Sequence, residues 1–156
     1  MNQAIQTADW PPHMTVAAII EKNGRFLMVE EGNRSHPVLN QPAGHLEPNE
    51  TLQQAVIRET LEETRWHIKP TFFLSLSTYQ AKNGEWYYRH AFIAEALYED
   101  KHAVLDEDIH QVLWLTKGQL IEQQARFRSP LVLKNFQQYQ RGQRFSLSLI
   151  DDHIHG

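Results

Sequence analysis

The stretch that decides the fold is Gly44-His45-Leu46-Glu47-Pro48-Asn49-Glu50-Thr51-Leu52-Gln53-Gln54-Ala55-Val56-Ile57-Arg58-Glu59-Thr60-Leu61-Glu62-Glu63. Its fixed points are Gly44, Glu50, Arg58-Glu59 and Glu62-Glu63, spaced as Gly-x5-Glu-x7-Arg-Glu-x2-Glu-Glu. Each of these residue types makes up roughly one residue in fifteen of ordinary proteins, so all six at fixed spacing is on the order of a 10⁻⁵ event per chain. Carboxylates gathered around one arginine repel each other unless something doubly positive neutralises them. Oxygen-preferring divalent cations do this, and Mg²⁺ normally brings phosphate chemistry with it.

From Thr51 to Thr64 the stretch reads as a helix, opened by a capping box of Thr51 with Gln54. Turning about 100° per residue, Leu52, Ala55 and Val56 form an apolar stripe that continues into Glu59, Glu62 and Glu63. Ile57, Leu61 and Thr64 lie opposite. A merely solvated acidic face should oppose the core stripe, whereas these acids extend one. They also occupy the C-terminal half, where the helix dipole disfavours negative charge. With separations of three and four residues, Glu59, Glu62 and Glu63 can converge into a one-sided cradle for Mg²⁺. Bound metal would withdraw charge from phosphoryl oxygens and acidify an attacking water, and a spare carboxylate would take that water's proton. Arg58 is the internal counter-charge, with Glu50 as its partner.

Around this helix the chain reads as strands and hairpins. His13–Ile20 and Arg25–Val29 are apolar runs joined by Asn23-Gly24, a strong hairpin signal. A second hairpin at Asn83-Gly84 joins Phe72–Tyr79 to the aromatic-rich Trp86–Ala96. Val112–Leu115 is a further short strand. Lys117–Gln124 and Pro130–Tyr139 read as helices, the second with proline at its start.

The 156 residues, 41% of them hydrophobic, fit one compact domain over the whole chain, with a polar, loose arm at Met1–Trp10. No window approaches the ~18 apolar residues of a membrane span, and the segment before His13 lacks a signal peptide's apolar centre. Cysteine is absent, which excludes disulfides, thiolate metal sites and cysteine nucleophiles. A cytoplasmic location is therefore expected. The net charge of −4 argues against a polymeric nucleic acid as partner, but not against a small phosphorylated one.

The acidic spacing resembles the signature of the Nudix hydrolases. That resemblance implies an α/β fold, an α/β/α sandwich with a mixed β-sheet. It also implies hydrolysis of nucleoside diphosphates linked to another group, or of related pyrophosphates, with Mg²⁺ or Mn²⁺. Residue by residue, Glu59, Glu62 and Glu63 match the metal-binding acids, and the Gly44 carbonyl matches a backbone ligand. Arg58 and Glu50 match the supporting pair. Family members often add an acid about six residues before a strand-starting tryptophan. Here Trp114 points back to Asp108 within Asp106-Glu107-Asp108, with Glu95 as the fallback. The chain departs from the family at Arg65-Trp66, where glycine and an apolar residue are usual. Arginine in a left-handed cap costs ~1 kcal/mol or more, which calls into question how the helix ends. Thr60 replaces a usual aliphatic and is expected to weaken packing slightly.

His13-Met14-Thr15-Val16-Ala17, Val29-Glu30-Glu31, Asn40 to Glu47, Arg128 to Val132 and Tyr139 to Arg144 resemble a NudJ-type subgroup of this family. That implies nucleoside tri- and diphosphatase activity releasing orthophosphate stepwise, extended to the thiamine pyrimidine pyrophosphate. Arg25, Arg34, His36, Arg89 and His90 are candidates to face phosphates, and Trp86, Tyr87 or Tyr88 to stack a base. On a strand, Tyr87 and Arg89 share one side, while Trp86 and Tyr88 share the other. For each aromatic, packing is the simpler role. Two other readings stand beside this one. The first is a pyrophosphohydrolase of dinucleoside polyphosphates, nucleotide sugars or capped RNA ends. The second is a non-catalytic nucleotide sensor, which the intact acidic set and the short chain disfavour. No heptad or long apolar run decides between monomer and dimer.

Overall fold

The computed structural model describes residues 10–154, so the expected N-terminal arm lies outside the described residues except for Trp10, which is exposed. Seven strands and three α-helices follow in chain order. They are β1 (His13–Lys22), β2 (Arg25–Glu31), β3 (Val38–Asn40), β4 (Ala43–His45), α1 (Leu52–Thr64), β5 (Trp66–Gln80), β6 (Trp86–Glu99), β7 (Ile109–Thr116), α2 (Lys117–Glu122) and α3 (Pro130–Gln140). β1 pairs in parallel with β6, and the remaining pairings are antiparallel, so the sheet is mixed.

Successive strand residues feed opposite faces. In β1, Val16, Ala18 and Ile20 pack with Ala55 and Val56 of α1, while Ile19 packs with Val132 and Phe136 of α3. Strands buried on both faces must read as nearly continuous apolar runs, as Val16–Ile20 and Phe26–Val29 do. This is the α/β/α sandwich.

The Asn23-Gly24 turn forms with φ of 52° and 74°, the two positive angles a tight hairpin turn requires. Its strands stay paired only at Glu21–Phe26 and Lys22–Arg25. Beyond that they splay, and β3 and β4 fill the gap. β3 pairs with β2, β4 pairs with β1, and the Ala18 amide donates to Pro42 O at 3.0 Å. Sequence reading misses these strands because each has only three residues and Pro42 interrupts them. β5 begins at Trp66, well before the predicted Phe72, because bulges near Ile68 and Pro70 let the strand continue through a proline. The helix predicted to reach Gln124 ends at Glu122 and is followed by a 3₁₀ turn at Gln124–Arg126.

α1 opens on the expected box, with Thr51 Oγ1 accepting from the Gln54 amide and Gln54 Oε1 from the Thr51 amide. It closes on Arg65 in the left-handed region (φ 66°, ψ 10°), so the helix ends as a glycine would end it. The Arg65 amide donates to Leu61 O at 2.8 Å, and its guanidinium Nε donates to Ala103 O at 2.9 Å. These bonds offset the strain. Thr60 is fully buried, with its hydroxyl donating to Val56 O, so the polar atom at this usually aliphatic position is satisfied.

Candidate active site

A cleft of about 740 Å³ opens where β4, the C-terminal half of α1, the start of β6 and the start of α3 meet. Its lining includes the acids Glu31, Glu47, Glu59, Glu63, Asp106 and Asp108. It also includes Arg89, Arg128 and Ser129, with Arg128 paired to Glu31. Thr15, Tyr79, Ala81 and Tyr87 complete it.

The β3–β4 insertion positions the acids of α1. It lays Gly44 against α1 so closely that a Cβ there would collide with the Glu59 carboxyl. The Ala43 amide donates to Glu63 Oε1 at 2.8 Å. Arg58 fixes the outer part of the cluster. Its Nε donates to Glu50 Oε2 at 3.0 Å and its Nη2 to Glu50 Oε1 at 2.7 Å. Nη2 also reaches His45 O, while Nη1 donates to Glu59 Oε1 at 2.9 Å and Glu62 Oε2 at 3.2 Å. The paired geometry makes Glu50 the arginine's main partner, as the spacing suggests.

Electrostatics follow from this arrangement. The hydrogen bonds from Arg58 hold Glu50 below the ordinary carboxylate range and raise the Arg58 guanidinium further above its own. Burial raises Glu59 despite Arg58. Burial also pushes Glu63 up to about 9, helped by the negative charges of Glu31, Glu59 and Asp106. Two carboxyls held above their normal range beside further acids mark a place where negative charge is in excess.

Of the predicted site residues, the structure brings Gly44, Glu59, Glu63 and Asp108 to the cleft, with Arg58 and Glu50 bracing Glu59. Glu62 is not brought in: its carboxylate turns to Arg58 and is half exposed. Glu95 is exposed on β6 opposite Lys69, outside the cleft. Arg25 lies at the far end of β2, six residues or ~20 Å of strand from Glu31. Arg34 and His36 sit in the exposed turn after β2, and His90 is turned away to Thr15 O. Tyr87 and Arg89 do share the cleft side, whereas Trp86 and Tyr88 do not line it. Composition and spacing gave no signal for Glu31, Asn40 and Arg128. These come together only through the β2–β3 pairing and the bond from Arg128 Nη1 to Glu31 Oε1 at 3.0 Å.

The donors suit a hard cation: carboxylate oxygens beside a glycine whose missing side chain lets the Glu59 carboxyl pack against its backbone. Among the described residues, no three acidic or histidine side chains already surround one point. Arg58 accounts for this, since it draws one oxygen each from Glu59 and Glu62 towards itself. Glu59, Glu63 and the Gly44 carbonyl are the groups that would hold an ion here.

A model of the NUDIX domain matches residues 11–136, and with this sheet, helix and acidic cleft it shows that the chain belongs to the Nudix family. It is an enzyme of that family, a Nudix hydrolase, and such hydrolases generally use divalent metal ions. Phosphatase NudJ of Escherichia coli strain K12 is 37% identical over 141 residues, covering 90% of this chain and 92% of that protein. Phosphatase NudJ of Shigella flexneri matches to the same extent. A solved NUDIX hydrolase from Nitrosomonas europaea superposes with a TM-score of 0.88 at 35% identity, over 92% of this chain and 98% of its own. Among the described residues, no helix is long and apolar enough to cross a membrane.

Proposed function

We propose that this chain, acting as one catalytic domain, hydrolyses phosphoanhydride bonds of nucleoside tri- and diphosphates, with Mg²⁺ as its metal and Mn²⁺ as a substitute. The thiamine pyrimidine pyrophosphate belongs to the same substrate class. The observation that carries this reading is two carboxylates, Glu59 packed against Gly44 and the buried Glu63 held by the Ala43 amide, lining the same cleft as Arg89 and Arg128. Acids alone describe a cation site; acids and arginines lining one cleft describe a site for a metal-bound phosphate. Likeness to a phosphatase over nine tenths of the chain supports the substrate class.

When bound, the metal supplies charge withdrawal from the phosphoryl group and a more acidic water. The remaining work falls to the chain. Arg58 holds Glu59 in one orientation through Nη1 and is itself fixed by Glu50. Glu63, kept in place by the Ala43 amide, presents its carboxyl to the cleft. Asp108 joins the acidic set from the edge of the cleft, Glu62 would join it only by turning from Arg58, and one carboxylate not engaged with the metal accepts the proton of the attacking water. Tyr87 offers a ring edge to the base, while its face is already stacked on His13 at 4.5 Å. A cytoplasmic setting, where such nucleotides are made and used, accompanies this reading.

The test is phosphate release from GTP, GDP and GMP with Mg²⁺, with and without added inorganic pyrophosphatase. Orthophosphate from both GTP and GDP without the helper enzyme supports stepwise phosphatase action. Signal only with the helper makes pyrophosphate the product and overturns the phosphatase assignment. No turnover on these or on dinucleoside polyphosphates and nucleotide sugars leaves a binding module instead.

A further inference from the structure

Arg89 on β6 is 7% exposed, yet the polar groups that hold it are all neutral amides. Its Nε donates to Asn135 Oδ1 at 3.0 Å, and Nη2 donates to Gln41 Oε1 at 2.6 Å. Nη1 and Nη2 share Asn40 Oδ1 at 3.4 Å. None of the ion pairs among the described residues includes Arg89. Of the two acids whose charges act on it, Glu31 is linked only through Asn40 Nδ2 at 3.1 Å and is itself paired with Arg128 at 3.0 Å, while Glu63 accepts from the Ala43 amide and makes no hydrogen bond to Arg89. Burying a cation without a carboxylate is costly, and an apolar residue of similar size would generally be more stable there.

The amides are also aimed. Gln41 Nε2 donates to Val132 O at 2.8 Å, which turns its carbonyl oxygen to Arg89. Asn135 Nδ2 donates to Gln138 Oε1 at 2.9 Å, and Gln138 Nε2 to Ser75 Oγ at 3.1 Å, with the same result for Asn135. A chain of fixed dipoles therefore solvates the guanidinium in place of a counter-ion, and the group lines the cleft. Ser129 and Leu131, at the positive end of the eleven-residue α3, line the cleft beside it.

We infer that Arg89 is the fixed anion-binding group of this cleft, left without a carboxylate partner so that a substrate phosphate becomes its counter-ion. The inference rests on the reading of the cleft as a nucleotide site and deepens it by naming the residue that takes the phosphate charge. Burial lowers Arg89 to about 10, which leaves it charged at neutral pH. Preorganised dipoles around a buried cation stabilise an anion without reorganising on binding. Arg58, saturated by acids, cannot do this.

The deciding variant is Asn135→Asp in the full chain. It keeps Arg89 and the shape of the site but supplies the missing carboxylate at Nε. Gln138 can accommodate it by turning its amide over, with the Ser75 hydroxyl as donor. The expected result, with Mg²⁺, is a KM for the nucleoside triphosphate and an inhibition constant for inorganic phosphate both raised on the order of tenfold. The melting temperature should be unchanged or higher, and kcat should change less than KM. Unchanged KM and phosphate inhibition in a folded Asn135→Asp protein overturn the inference and leave Arg89 a structural tie between β6 and α3. If that variant does not fold, Arg89→Lys and Arg89→Gln decide. Phosphate inhibition kept by lysine and lost by glutamine supports the inference, and equal inhibition overturns it. A wild-type protein that turns over no nucleotide overturns the parent reading and this one with it. Normal wild-type turnover with unaltered variants overturns this one alone.

Discussion

The Glu59 carboxyl occupies the space that a side chain on Gly44 would fill. Backbone and carboxylate can meet this closely only because residue 44 lacks a Cβ. Its neighbour Ala43 is pinned in turn by the bond from its amide to Glu63. One short strand, β4, therefore sets the positions of two acids on a helix that follows it in sequence.

The first consequence is that Gly44→Ala should separate activity from stability. The displaced atoms are the end of a flexible glutamate, so rotation of Glu59 relieves the clash and the fold survives, with a loss within ~1–2 kcal/mol. The catalytic geometry does not survive. A displacement of about 1 Å in a positioned group can cost on the order of 10²-fold in turnover. Denaturant unfolding and steady-state kinetics on the same preparation check both halves. Near-wild-type turnover would show that the contact between Gly44 and Glu59 has no catalytic role.

Glu63 gives a pH dependence whose sign is fixed by its environment. Folded, its carboxyl titrates near 9; unfolded, it returns to about 4.5. Between those values the folded state holds a proton that the unfolded state has released. Stability from this group is therefore present below about pH 4.5 and declines as pH rises towards 9, by up to about 1.4 kcal/mol per pH unit. Other groups titrate as well: Glu50, held low, contributes stability that is lost on acidification. The comparison to make is thus metal-free wild type against Glu63→Gln across pH 5 to about 8.5. The glutamine variant should be the more stable protein above pH 5, by a margin that grows with pH, yet have nearly no turnover. Mg²⁺ added to the wild type should narrow the gap and release protons, because ligation requires the charged carboxylate. A constant gap across that range would mean that Glu63 is ionised in the folded protein.

Much of this was legible in the sequence because it is local. The α1 capping box, both Asn-Gly and Gly84 turns and the Glu50–Arg58 pairing involve residues at most eight apart. The α1 stripe was readable too, since Ala55, Val56 and Glu63 are buried on the face that periodicity indicates. What could not be read is long-range. Nothing in β1 or β2 announces that their hairpin splays to admit β3 and β4, and that event places Gly44 and Asn40. Spacing also set Glu62 beside Glu59 and Glu63, but the geometry left it on Arg58. The basic candidates divided for the same reason. Arg89 reaches the cleft through the β1–β6 register, Thr15 to Arg89, while Arg25 is carried to the opposite end of its strand.

Arg65 gives a last prediction, on stability alone. It holds the left-handed cap of α1 at φ 66°, a conformation that costs a non-glycine residue roughly 1–2 kcal/mol. Its guanidinium recovers part of that through Ala103 O, a bond worth ~1 kcal/mol. Glycine removes both the strain and the bond, so Arg65→Gly should lie within about 1 kcal/mol of wild type. Alanine keeps the strain and loses the bond, so Arg65→Ala should be the least stable of the three by about 1 kcal/mol or more. Chemical denaturation of the three proteins gives the order, and turnover should be the same in all, because Arg65 lies outside the cleft. An alanine variant as stable as wild type would mean that the Ala103 bond contributes nothing and that α1 ends well without it.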